Sequence, residues 1–100
     1  MKRVLVRYKT SPDKAEDNQR LIEAVFRDLA TQAPAGLRYA VFRLADGGFV
    51  HVAETEGDAN PLFALDSFKA FSGTAKERCI EPPVTQEAVI VGNYHMLERP

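Results

Sequence analysis

The sequence of 100 residues predicts an α+β domain with the element order β-α-β-β-α-β. Three observations predict this order. Two β-rich segments flank Asp46-Gly47-Gly48 in mid-chain, where glycine supplies the positive φ angles that a tight hairpin turn needs. An amphipathic helical pattern lies on each side of this hairpin. A β-rich segment near each end of the chain completes the order.

The first strand is predicted over residues 3–9 by a two-residue alternation of side chains. Val4, Val6 and Tyr8 share one face and are expected to pack under the helices. Arg7 then points to the opposite face, because successive side chains of a strand alternate.

The first helix is predicted to begin at Ser11-Pro12, with serine as its cap and proline at the first helical position. Pro34 and Gly36 are expected to end it. Apolar residues recur between these limits at three- and four-residue spacing and form one stripe: Leu21, Ile22, Val25, Phe26, Leu29, Ala30 and Ala33.

The second half of the chain is predicted to hold a short helical turn, a second helix and a last strand. Asn60-Pro61 repeats the cap-and-proline signal and predicts a turn through Leu65. The main helix is expected to open at Asp66 or Ser67 and to end at Glu81-Pro82-Pro83, because proline disfavours helix in the residue before it. Its inner face would carry Phe68, Phe71 or Ser72, Ala75 and Cys79. The last strand is placed over residues 87–97.

This order fits a ferredoxin-like fold, in which a four-stranded antiparallel sheet carries both helices on one face. Residues 1–100 are expected to form a single domain. The other face of the sheet would expose many apolar groups, which a monomer rarely does. We therefore expect a homodimer in which two sheets pair face to face around a cavity, and light scattering that shows a stable monomer would exclude it.

Composition excludes several classes of partner. A formal net charge of −1 gives no general attraction for nucleic acid or for an anionic membrane. The longest apolar runs are far short of the ~20 residues that span a bilayer, and Val4 to Val6 is too short for the apolar core of a signal peptide. The single cysteine, Cys79, excludes an internal disulfide and a Cys-rich metal site. A cytoplasmic protein is expected.

The parity of the strands predicts a group of residues around the dimer cavity. Arg7 would face it from the first strand, and Phe49 and His51 from the third, with Val50 and Val52 under the helices. The orientation of the second strand is ambiguous. The face that holds Tyr39 and Arg43 is assigned to the cavity because its side chains end in more polar groups.

These side chains predict a site for an acidic or phenolic ligand. Arg7 and Arg43 would bind its anion, Tyr39 would hydrogen-bond it, and Phe49 would contact it. His51 could move a proton near neutral pH and is the candidate catalytic residue. The alternatives are a polar network at the interface that satisfies itself, or surface charge at edge positions, with His51 as a structural histidine.

Other reactive side chains carry weaker signals. His95 has no visible partner, and two histidines without a carboxylate or cysteine cluster fall short of a metal site. Cys79 is predicted to be a buried, inert thiol on the second helix. No cofactor is predicted.

The chain resembles the dimeric α/β-barrel superfamily of antibiotic biosynthesis monooxygenase-like proteins. The resemblance covers nearly the whole chain and is carried by the order of elements and by three segments: VLVRYKT at the start, FVHVAE after the hairpin, and DSFKAF at residues 66–71. It implies a homodimer. Relatives of this kind include cofactor-independent oxygenases of aromatic or quinone-like compounds, haem-degrading enzymes, isomerases and proteins of no known role, so the resemblance supports the fold more strongly than any activity. Ser67 stands where relatives often carry histidine, Thr55 lies near the place of a family tryptophan, and the chain has no tryptophan.

Two functions of different classes follow from these observations. One is a small oxidoreductase similar to cofactor-independent monooxygenases, with His51 as the base and Arg7 or Tyr39 steadying the substrate anion. The other is a non-catalytic protein that binds a small molecule or serves as an accessory factor. Turnover with oxygen would support the first, and saturable binding alone would support the second.

Overall fold

The computed structural model describes residues 1–97. Four strands, two α-helices and three short 3₁₀ turns follow one another in the predicted order. The strands and helices are β1 (Lys2–Thr10), α1 (Ala15–Gln32), β2 (Leu37–Arg43), β3 (Gly48–Thr55), α2 (Asp66–Gly73) and β4 (Cys79–Glu87). The 3₁₀ turns are Pro12–Lys14, Pro61–Ala64 and Ala75–Glu77.

The four strands form one antiparallel sheet in the order β2-β3-β1-β4. Each split β-α-β unit inserts a strand of the other unit between its own two strands, which is the ferredoxin-like arrangement predicted above. β1 and β3 are therefore central, and β2 and β4 are the edges. The core lies where the two helices cover the central strands: Tyr8, Ala15, Ile22, Val25, Phe49, Leu62, Leu65 and Phe71 are buried there.

The proline signal at the first helix and the hairpin turn are confirmed, whereas the Ser11 side chain makes no cap hydrogen bond. Pro12 opens a 3₁₀ turn that leads directly into α1, and Ala33 ends the helix in the left-handed conformation. In the hairpin, Gly47 has a φ of 88°, and the amide of Gly48 donates to Asp46 Oδ1 over 2.9 Å. Asn60 also acts as predicted, because its side chain accepts from the amide of Leu62 over 2.9 Å.

The predicted boundary between the second helix and the last strand is wrong. α2 ends at Gly73, and β4 begins at Cys79, so the cysteine lies on a strand and residues 88–97 form no strand. Pro82 and Pro83 lie inside β4 instead of ending a helix. An edge strand tolerates them because its outer side needs no ladder hydrogen bonds, and a register shift between Arg7 and Lys9 of β1 marks a bulge opposite them.

The predicted orientations of β2 and β3 are also wrong. On β2, Tyr39 and Arg43 pair with Ala53 and Phe49, so they lie on the face that the helices cover and not on the open face assigned to the dimer cavity. His51 pairs with Val6 and Phe49 pairs with Tyr8, so all four side chains share the face that the helices cover. Val50 and Val52 lie on the open face of the sheet, where Val50 pairs with Arg7. Both His51 and Phe49 are buried. A cavity built on His51 must therefore lie between the sheet and its helices, within one chain.

Candidate functional site

A cavity of about 640 Å³ lies between the sheet, α2 and the 3₁₀ turn at residues 61–64. Its wall is largely apolar and includes Val4, Val6, Leu62, Phe63, Phe68 and Phe71. This volume and lining are typical of small-molecule sites in proteins. Exposed Lys2, Asp58 and Lys69 contribute polar groups where the cavity meets solvent.

The polar part of the cavity wall is centred on His51. The Tyr8 hydroxyl lies 2.7 Å from His51 Nε2, and the Tyr39 hydroxyl lies 2.6 Å from His51 Nδ1. The three residues come from the neighbouring strands β1, β2 and β3, and all three line the cavity. A sheet brings them together because residues opposite one another on adjacent strands share a face.

This cluster continues into the core through Asn18 and Arg78. The side-chain amide of Asn18, on α1, donates to the Tyr8 hydroxyl over 2.9 Å. Arg78 Nε donates to Asn18 Oδ1 over 2.8 Å, and Arg78 Nη2 donates to the carbonyl of Phe71 over 2.8 Å. Asn18 and Arg78 are buried, so these bonds replace the water that both groups lose on folding.

Burial sets the protonation states in the cluster. It lowers the pKa of His51 from 6.5 to about 4, because the charged imidazolium loses its hydration. It raises the pKa of Tyr8 and of Tyr39 above the ordinary tyrosine value, since a buried phenolate is likewise disfavoured. At neutral pH the cluster therefore consists of a neutral imidazole between two neutral hydroxyl groups.

The structure brings together two of the five predicted site residues, His51 and Tyr39. Phe49 lies next to them but is packed in the core, with 1% exposure, and stacks on Tyr8 with a ring separation of 5.6 Å. Arg43 reaches the surface of α1, where Nη1 lies 2.7 Å from a carboxylate oxygen of Glu16. Arg7 lies on the open face of the sheet, and its placement beside His51 was wrong.

Sequence reasoning missed three members of the cluster: Tyr8, Asn18 and Arg78. Tyr8 was assigned to the buried face as a packing residue only. Asn18 did carry a signal, because it stands four residues before Ile22 on the apolar stripe of α1, where a polar side chain must find a buried partner. Arg78 carried none, since its contacts depend on how α2 and β4 meet.

The remaining reactive groups lie away from this cluster. Ser67, at the position where the resemblance predicts histidine, donates to Asp28 Oδ2 over 2.7 Å and so joins α2 to α1. Cys79 is half-buried at the start of β4, and burial raises the pKa of its thiol. His95 is exposed beside Tyr94. Within residues 1–97, no three His, Cys, Asp or Glu side chains are grouped to hold a metal ion, and no helix is long and apolar enough to cross a membrane.

Comparison with solved structures identifies the fold. No protein-family model matches the sequence, and no curated protein matches it. A crystal structure of an antibiotic biosynthesis monooxygenase superposes with a TM-score of 0.75 at 18% identity, over 92% of this chain and 100% of the other. A candidate antibiotic biosynthesis monooxygenase from Nitrosomonas europaea gives 0.75 at 15% identity, over the same shares of the two chains.

A protein of unknown function from Nitrosomonas europaea is also similar, with a TM-score of 0.71 at 14% identity over 97% of this chain and 95% of the other. The three structures have the same fold, but they are not all described as having the same function. The resemblance predicted from the sequence is confirmed at this level: the chain has the ferredoxin-like fold of antibiotic biosynthesis monooxygenase-like proteins.

Proposed function

We propose that this protein is a cofactor-independent monooxygenase-like enzyme that acts on a phenolic or quinone-like aromatic molecule held in the cavity beside Tyr39 and His51. The observation that carries this proposal is the arrangement of a neutral, buried histidine and a tyrosine hydroxyl at the wall of an otherwise apolar cavity. Such a wall suits a flat apolar ring system with one polar oxygen.

The proposed chemistry needs little more from the protein than binding and proton control. A phenol loses its proton, and the electron-rich phenolate reacts with oxygen; overall, a naphthol and O₂ give a naphthoquinone and water. The Tyr39 hydroxyl would donate a hydrogen bond to the phenolate oxygen of a substrate that has lost its proton to solvent, and His51 would hold Tyr39 in place for that bond. The apolar walls formed by Val6, Phe68 and Phe71 would exclude water from the reacting ring.

Replacing Tyr39 with phenylalanine tests the proposed site. We expect Y39F to bind 1-naphthol about threefold more weakly than the wild type at neutral pH, because the hydrogen bond between Tyr39 and the naphthol oxygen is lost. Binding is measured by the fluorescence of naphthol, and oxygen uptake is measured with an electrode in the same samples. Tyr94→Phe is the matched control, since Tyr94 is 88% exposed and lies outside the cavity.

The outcomes separate the two functions. Saturable binding with oxygen uptake that depends on Tyr39 supports the enzyme. Saturable binding without uptake supports the alternative, a non-catalytic small-molecule-binding or accessory protein. One observation favours that alternative: both ring nitrogens of His51 already have partners inside the protein. Equal binding by wild type and Y39F would contradict a site at Tyr39.

We also propose that the protein is a homodimer whose open sheet faces pack together. Leu5, Phe42, Val50 and Val52 lie on that face without a covering helix, and Phe42 is 54% exposed. Light scattering is expected to give about twice the chain mass of 11.1 kDa. A mass equal to one chain at micromolar concentration would contradict the dimer and leave the cavity within each chain unaffected.

A further inference from the structure

We propose that the cavity selects ligands that present a hydrogen-bond-accepting oxygen, above all a phenolate, because a one-way chain of hydrogen bonds from Arg78 leaves the Tyr39 proton pointing to the ligand. This inference rests on the proposed function and names the form of ligand that the site prefers. Arg78, Asn18, Tyr8 and His51 would act as positioning residues, since their effect on the ligand passes through the Tyr39 hydroxyl.

Arg78 sets the direction of the chain at its buried end. A guanidinium group has only hydrogen-bond donors, so the atom of Asn18 that faces Arg78 Nε at 2.8 Å must be the acceptor oxygen. Other donors of Arg78 are held by the carbonyl groups of Thr74 and Phe71, at 3.1 and 2.8 Å. The orientation of the Asn18 amide is therefore fixed by chemistry, and its NH₂ group faces Tyr8.

Asn18 in turn fixes the proton of Tyr8. The NH₂ group donates to the Tyr8 hydroxyl oxygen over 2.9 Å, so the single hydroxyl proton is free to bond elsewhere. His51 Nε2, at 2.7 Å, is the acceptor within reach. Tyr8 is buried, and leaving its proton unpaired would cost free energy. Nε2 is therefore unprotonated, and the neutral imidazole carries its proton on Nδ1.

The last link delivers a donor to the cavity. The Nδ1–H group of His51 donates to the Tyr39 hydroxyl oxygen over 2.6 Å. None of these hydrogen bonds uses the Tyr39 proton. Because Tyr39 lines the cavity, that proton is available to a ligand there. Each link points the same way, so a ligand meets a hydroxyl donor whose oxygen is already polarised by His51.

A donor at this position discriminates between two forms of the same ligand. A phenolate accepts the Tyr39 proton and forms a charge-assisted hydrogen bond. A neutral phenol can accept it only weakly, and its own proton would compete for the Tyr39 oxygen that His51 already occupies. We expect the wild type to bind a phenolate about tenfold more tightly than the corresponding phenol.

Asn18→Asp should reverse the chain. A carboxylate at residue 18 accepts from both Arg78 and Tyr8, so the Tyr8 proton turns away from His51. His51 Nε2 must then donate to Tyr8, and Nδ1 must accept from Tyr39. The Tyr39 hydroxyl would present its lone pair to the cavity, and the preference for phenolate should fall about tenfold.

The first readout needs no ligand. Nitrogen-15 NMR of the imidazole distinguishes the protonated ring nitrogen from the unprotonated one, and we expect Nδ1–H in the wild type and Nε2–H in N18D at neutral pH. Wild-type protein with its proton on Nε2 overturns the proposal, and so does an unchanged tautomer in folded N18D. Because the wild-type spectrum is decisive by itself, the proposal remains testable if N18D does not fold.

The second readout uses 4-nitrophenol, which ionises near neutral pH and changes colour when it does. Titration across that range gives the affinity of each form for wild type and N18D, and equal wild-type affinity for phenol and phenolate overturns the proposal. Phenolate binding without oxygen uptake on naphthol would remove the oxygenase function and keep the ligand preference. Oxygen uptake by a wild-type protein whose His51 carries its proton on Nε2 would support the oxygenase function and overturn the proposed ligand preference.

Discussion

Replacing Phe49 with alanine is expected to lower the free energy of unfolding by about 3–5 kcal/mol. Phe49 is 1% exposed, and its ring stacks on Tyr8 with an interplanar angle of 10°. Alanine would leave a void beneath Tyr8 that the sheet and the helices cannot close, because β1 and β3 are held by a continuous ladder of paired residues. Urea denaturation followed by circular dichroism measures the change.

Phe63→Ala is the matched control, because it removes the same group from a side chain that is 64% exposed. The control should lose less than about 1 kcal/mol. A ligand role for Phe49 would show as weakened naphthol binding in a variant of nearly wild-type stability. A loss of stability below about 1 kcal/mol in F49A would contradict the packing described here.

The stability of the fold is expected to decrease as the pH falls from about 6.5 to about 4 because of His51. Burial lowers the pKa of His51 from 6.5 to about 4, so the unfolded chain binds a proton in this range that the folded chain excludes. The contribution is fully present above pH 6.5 and is lost as the pH falls to about 4. The largest contribution that His51 can make to the free energy of unfolding in this way is about 3 kcal/mol, which follows from the size of its pKa shift.

His51→Gln isolates this contribution. Carboxylates also titrate at the lower end of the range, so the informative quantity is the difference in pH dependence between wild type and variant. We expect H51Q to lose less stability than the wild type between pH 7 and pH 4.5, as measured by urea midpoints. His95→Gln, at an exposed position, should follow the wild type. Parallel curves for wild type and H51Q would show that His51 is not protected from protonation.

Local signals account for the parts of the fold that the sequence predicted well. The hairpin follows from the positive φ of Gly47, and the start of the first helix follows from Pro12, whose ring presets the backbone. These features depend on a few adjacent residues. β4 depends instead on distant pairing with β1, and Pro82-Pro83 was interpreted as a helix end because nothing in the local sequence shows an edge strand with a bulge.

In the candidate site, too, local sequence predicted some features, and contacts between distant strands determined the others. Phe49 to Ala53 is apolar on both faces apart from His51, so Val50 and Val52 were assigned to the helices and His51 to the dimer cavity. The structure places His51 on the covered side because Tyr8 and Tyr39 satisfy both ring nitrogens there. Pairing across strands that are distant in sequence creates this environment. Tyr39 and His51 could be predicted as residue types suited to a phenolic ligand, but the contact of His51 with Tyr8, and that of Tyr8 with Asn18, could not.

Methyl NMR of the protein titrated with 1-naphthol tests most directly whether the ligand occupies the cavity between the sheet and its helices. We predict that the methyl signals of Val4, Val6 and Leu62 shift on binding, since these residues line the cavity. Shifts confined to Val50 and Val52, on the open face of the sheet, would contradict the claim and move the site to the face predicted for dimerisation.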